Sequence, residues 1–160
     1  VIGGAIVASL TFIIGTFDYN GAGGGIITAS FTEPAKPEAF ALKLLFTALT
    51  LCAGFKGGEI VPVFFVGSTF GSVIADLSGL NCSLGASIGM ISLFCGVTNC
   101  PIASLLLSLE LFGSEGIAFY ALSCSISYML SGYQGLYSEQ KILYSKLKTK
   151  YINKTIGDKN

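Results

Sequence analysis

Between Val1 and Leu130 the chain is mostly apolar, yet glycine, proline and short polar breaks cut it into segments that are mostly about 11 to 17 residues long. A helix that simply crosses a bilayer needs roughly 20 apolar residues. Only 11% of the residues are charged and the mean hydropathy is +0.73, whereas soluble domains carry roughly 25% charge. The chain therefore reads as an all-α membrane protein built from short, tilted or broken transmembrane helices. Broken helices whose ends meet near the midplane are a transporter architecture, because irregular backbone in a membrane must be buried or must line a cavity.

The segments follow in order. Val1 to Phe17 is apolar with small residues at Gly3, Gly4, Ala5, Ala8 and Ser9, suited to close helix packing. Asp18-Tyr19-Asn20-Gly21-Ala22-Gly23-Gly24-Gly25 cannot hold a regular helix. Ile26 to Phe31 is a short apolar piece, and Pro37 is placed to open the helix over Ala39 to Ala53. Further helices are predicted over Val61 to Leu80, Cys82 to Val97, Ile102 to Phe112 and Ile117 to Leu130, with Thr98 or Asn99 capping the one that Pro101 starts. From Ser138 an amphipathic helix is expected, with Leu136, Leu143, Leu147 and Tyr151 on one face and a frayed end beyond Lys150. Residues 1–144 are thus read as a membrane repeat and 145–160 as a basic tail. Six lysines follow Glu139, and the positive-inside rule puts this C-terminus in the cytoplasm. The chain opens on Val1 within an apolar run, which suggests a piece of a larger protein rather than a signal peptide.

Composition also excludes functions. The net charge is zero and all nine basic residues are lysines, mostly in the tail, so no nucleic-acid partner is expected. Without histidine the usual nucleophile-base sets and most zinc sites cannot form, and neither enzyme activity nor a cofactor or metal is expected. Cys52, Cys82, Cys95, Cys100 and Cys124 have no C-x-x-C spacing and read as small hydrophobes.

One segment carries chemistry. Gly54-Phe55-Lys56-Gly57-Gly58-Glu59-Ile60-Val61-Pro62 sets an acid between apolar runs, beside two glycines and just before a proline. Pro62 suits the first turn of a helix. The free amides of that turn, on the positive end of the helix dipole, suit a small anion, and Gly57 and Gly58 allow close approach. An acid in hydrocarbon is a functional candidate, and proton coupling needs its pKa within reach, which burial favours. The alternative for Glu59 is a structural pairing with Lys56, itself either a counter-ion or a vestibule residue. Tyr137, where Ser131 to Tyr137 interrupts the last apolar segment, is either an interfacial aromatic or a hydroxyl donor to an ion. Glu110 near a helix C-terminus reads as structural and Asp76 as interfacial.

The order of Gly23-Gly24-Gly25, Gly57-Gly58-Glu59-Ile60-Val61-Pro62, Asn99-Cys100-Pro101 with Leu105 to Glu110, and Gly135-Leu136-Tyr137-Ser138 resembles the second half of CLC chloride channels and transporters. Glu59, where CLC proteins usually carry an apolar residue, looks like the fluoride/proton antiporter branch. So do Gly54-Phe55-Lys56-Gly57-Gly58-Glu59 and Leu136 to Leu143. That branch often has threonine where this chain has Val61. The resemblance implies that the backbone amides of Glu59 and Ile60 contact the anion, that the Tyr137 hydroxyl closes the inner side of its site, and that Glu59 couples protons. Gly57, Gly58, Val61 and Pro62 would support it. It further implies a multi-pass protein of the bacterial plasma membrane and a homodimer, with residues 117–130 at or near the subunit interface. The first half would hold a gating glutamate, so this chain alone would not transport. A chloride-selective CLC channel or exchanger and a non-transporting membrane scaffold are the rivals.

Overall fold

The computed structural model describes residues 2–156. Among them are seven helices: α1 Ile2–Ile14, α2 Gly24–Ala29, α3 Ala39–Cys52, α4 Ile60–Leu77, α5 Cys82–Thr98, α6 Pro101–Phe112 and α7 Ile117–Leu130. Two strands follow, β1 Lys141–Tyr144 and β2 Tyr151–Thr155. At 18 residues, α4 alone among the described helices is long and apolar enough to cross a bilayer, and five others are shorter apolar helices. The chain forms two compact units, Val1–Met90 and Ile91–Asn160, and the boundary falls within α5.

The breaks occur where the backbone demands glycine. At Gly15, φ is +74° and α1 ends with the Gly15 amide donating to the Thr11 carbonyl at 2.9 Å. At Gly23, which precedes α2, φ is +70°, and an added Cβ would lie 2.6 Å from the Phe65 ring. That ring is fully buried in the core of the first unit with Tyr19, Ala39 and Phe46. Tyr19 meets Phe46 and Phe65 at centroid distances of 6.3 and 6.4 Å, tilted and edge-on, the arrangement that aromatic quadrupoles favour. The first-unit part of α5 packs on α4 through glycines. A Cβ on Gly67 would lie 2.7 Å from the Met90 Cα, and one on Gly71 would lie 3.0 Å from the Gly89 Cα. This is the close approach of backbones by which membrane helices associate.

In the second unit Ile91, Cys95 and Cys124 are buried, with Leu107, Phe112 and Tyr128 against them. The Ser127 hydroxyl donates to the Ser92 carbonyl at 2.6 Å, joining α7 to α5. Cys95 and Cys124 behave as the buried small hydrophobes expected, whereas Cys52 is exposed; all five thiols are free.

Hydroxyls share the interior with these apolar clusters, and large apolar side chains face outward. Ser68, Thr69, Ser72, Ser104 and Ser108 are fully buried, and most of their hydroxyls are satisfied by carbonyls one turn back. Phe12, Leu77, Ile102 and Leu130 point outward with 75–89% of their surface exposed. Apolar side chains outside and hydroxyls inside are what a hydrocarbon solvent selects.

Two expectations are corrected. The tail from Ser138 is not an amphipathic helix but an antiparallel hairpin, with Lys141 opposite Thr155, Ile142 opposite Lys154 and Tyr144 opposite Tyr151. Ile, Tyr and Thr favour strands, and the Tyr144 and Tyr151 rings pair at 5.6 Å. Leu143, Leu147 and Tyr151, the supposed helical face, are exposed, while Ile142 and Ile156 are buried. The frayed end beyond Lys150 is likewise strand as far as Thr155. Asn99 is not a helix cap: α6 follows Cys100 with no side-chain cap, and Asn99 adopts φ 55°. Its amide serves the following loop instead.

Candidate anion site

The site is built by the way α3 hands over to α4. After α3, Gly54 at φ +84° reverses the chain, and Gly54 and Phe55 donate to the Leu51 and Thr50 carbonyls. Lys56, Gly57 and Gly58 then run exposed to Glu59, the residue before α4. A Cβ on Gly57 or Gly58 would meet nothing within 4 Å, so these two glycines leave space open in front of the helix instead of filling a packing contact. The Glu59 carbonyl accepts from the Val63 amide at 3.2 Å. Pro62 lies in the first turn and has no N–H. The Ile60 and Val61 amides precede the first helical hydrogen bond and have no backbone partner among the described residues. They are free backbone donors at the start of α4, whereas the resemblance names the amides of Glu59 and Ile60.

Glu59 and Ile60 are half-buried and Val61 is exposed. The Glu59 side chain makes no cap, and no ion pair joins it to the exposed Lys56 among the described residues. The structural-pairing alternative is therefore absent from this geometry. A cavity of about 540 Å³ opens beside the helix start. Gly57, Gly58, Val61 and Pro62 form its motif wall, and Glu59 and Ile60 stand next to that wall.

One residue of this cavity is not singled out by sequence reasoning. Lys43 lies within α3 and is 2% exposed. Its ammonium donates to the Tyr19 carbonyl at 3.1 Å and the Gly21 carbonyl at 2.5 Å, and lies 5.0 Å from the centre of the Phe65 ring. A lysine buried within an apolar membrane helix is costly unless it finds partners. Its occurrence inside an apolar helix is the signal available in the sequence.

Tyr137 belongs to the second unit. It is 46% exposed, and its carbonyl accepts from the Gln140 amide at 3.1 Å. The loop that carries it is held from both sides. The Leu136 amide donates to the Val97 carbonyl at 2.9 Å, and the Asn99 side-chain amide donates to the Gln134 carbonyl at 2.7 Å. A Cβ on Gly135 would come within 2.8 Å of that same Asn99 nitrogen, so a side chain there would press on this hydrogen bond. The Asn99 oxygen accepts from the Lys146 ammonium, which also donates to the Ser131 hydroxyl at 2.9 Å and lies 4.2 Å from the centre of the Tyr128 ring. Burial holds the Lys146 ammonium below the usual lysine range. Asn99→Ala is expected to destabilise this junction by about 1 kcal/mol, since it removes the hydrogen bonds to the Gln134 carbonyl and the Lys146 ammonium. Faster trypsin cleavage after Lys146 in the full-length variant would report it.

Glu110 and Asp76 are exposed in or near the last turns of α6 and α4. No cluster of metal-ligating side chains occurs among the described residues.

A "Chloride/fluoride channel protein" from Pseudomonas syringae pv. tomato is 36% identical over 150 residues, covering 90% of this chain and 33% of that protein. The crystal structure of a CLC-type fluoride/proton antiporter superposes with a TM-score of 0.77 at 36% identity, covering 81% of this chain and 33% of that one. The chain thus spans about a third of the length of these relatives. The fold is accordingly that of a CLC antiporter. Since the family model for the voltage gated chloride channel also matches residues 1–132, the chain is a membrane protein belonging to the CLC family.

Proposed function

We propose that this chain is the second half of a bacterial CLC-type antiporter that exports fluoride across the plasma membrane in exchange for protons. The observation that carries the reading is an acid, Glu59, set immediately before the free Ile60 and Val61 amides of α4. A fluoride ion at those amides and a charged carboxylate beside them compete for one positive helix end. Protonating the acid admits the anion, and losing the proton expels it. The amides of Glu59 and Ile60 would hold the ion, and the Tyr137 hydroxyl would close the inner side. The names of the two relatives, one a chloride/fluoride channel protein and one a fluoride/proton antiporter, favour the same ion.

Residues 1–144 would form the membrane repeat and 145–160 a basic tail, placed in the cytoplasm by its lysines. A transporter role is favoured over an enzyme role by the lack of histidine. A homodimer is supported by an outward apolar row on α7: Phe119, Leu122, Ile126 and Met129. Liposomes containing the full-length protein and loaded with fluoride and chloride test the central reading. Fluoride efflux well ahead of chloride is expected on an ion-selective electrode. Equal or faster chloride efflux would make the protein a chloride CLC, and no flux of either ion would favour a scaffold.

A further inference from the structure

We propose that the cavity beside the α4 start is a second small-anion site, with Lys43 as the fixed positive charge that holds the ion there. The inference rests on the transport reading for its ligand, fluoride, with chloride as competitor.

Lys43 is a cation buried in an apolar helix, yet no carboxylate pairs with it among the described residues. Its partners are the neutral carbonyls of Tyr19 and Gly21 and the face of Phe65. These use two of the three ammonium hydrogens and leave the charge uncompensated. The cavity wall is asymmetric in charge: it includes Lys43 and Lys56 and no acidic side chain. Thr47 and Thr50 also line it, but their hydroxyls donate to the Lys43 and Phe46 carbonyls one turn back. Ammonium groups are therefore the strong donors on this wall. A cavity of about 540 Å³ with two positive charges and no negative one stabilises a monovalent anion. Gly57, Gly58, Val61 and Pro62 also line it, so an ion held there lies beside the start of α4. Lys43 would thus collect the ion, and the helix start would take it over.

A purely structural Lys43, clamping the Asp18 to Gly25 break through its two carbonyls, makes a different prediction. Calorimetry of fluoride binding to the detergent-solubilised full-length protein separates the two. Lys43→Met is expected to weaken binding by about tenfold or more, the value of a charged hydrogen bond. Lys43→Arg should stay within about threefold of wild type, because it restores the charge. Lys56→Gln, at an exposed position where folding is not at risk, should weaken binding by about threefold. A folded K43M with wild-type affinity overturns the proposal. If K43M does not fold, unchanged affinity in K56Q together with lost affinity in K43R overturns it. Flux is recorded on the same preparation. Wild-type binding without fluoride flux would defeat the transport reading and leave the site standing, whereas flux without a Lys43 effect on binding would do the reverse.

Discussion

Glu59→Gln in the full-length protein is expected to reduce fluoride-driven proton uptake by liposomes at least about tenfold while tightening anion binding, since a neutral side chain no longer repels the ion. Glutamine keeps the size of the side chain and its place before α4, so the Ile60 and Val61 amides remain available. What it removes is the exchange of charge. Two negative charges about 4 Å apart repel by about 4 kcal/mol at an effective dielectric of about 20. A bound anion and an ionised Glu59 therefore exclude one another by a factor of about a thousand, and that mutual exclusion is what links proton and anion. The linkage is reciprocal: fluoride binding should take up a proton in wild type and none in the variant. Glu59→Asp, which retains the titrating group on a shorter arm, should recover part of the coupling. The measurement is proton uptake, followed with a pH electrode, after imposing a fluoride gradient. Undiminished uptake in E59Q would assign coupling to another residue.

Much of this arrangement is legible in the residues. Pro62 and the glycine pair announce the α4 start, and the helix over Ile117–Leu130 coincides with its apolar run. Such features are local: a proline without an N–H and a glycine without a Cβ act on their own few residues. What escapes the sequence is non-local. Asn99 precedes Pro101 as a cap would, but the Gln134 carbonyl and the Lys146 ammonium, 35 and 47 residues away, claim its side chain. The tail has a leucine period that suits a helix, yet its tyrosines and isoleucines pair across a hairpin. Lys43 is visible only as an interruption, because its meaning depends on carbonyls 24 and 22 residues earlier. The same blindness affects glycine. Composition cannot tell Gly57, which faces open space, from Gly71, which touches another backbone.

That contrast fixes the second large effect, on stability. Gly71→Leu is expected to prevent stable folding, or at least to destabilise the full-length protein by about 3 kcal/mol or more, beyond the usual range for overpacked sites. The reason is that nothing nearby can yield. A Cβ at Gly71 would press on the Gly85 carbonyl and lie 3.0 Å from the Gly89 Cα, and both are helix backbone rather than movable side chain. Relief requires α4 and the start of α5 to separate, which gives up the dispersion contacts that hold helices together in lipid, where no hydrophobic effect replaces them. Gly57→Ala provides the control, since its Cβ meets nothing within 4 Å. It should melt within about 0.5 kcal/mol of wild type, as surface substitutions do, and any defect it shows should be in anion binding. Size-exclusion profiles and melting temperatures in detergent distinguish the pair. A monodisperse G71L melting like wild type would mean that the α4–α5 contact is not the closure that the glycines describe.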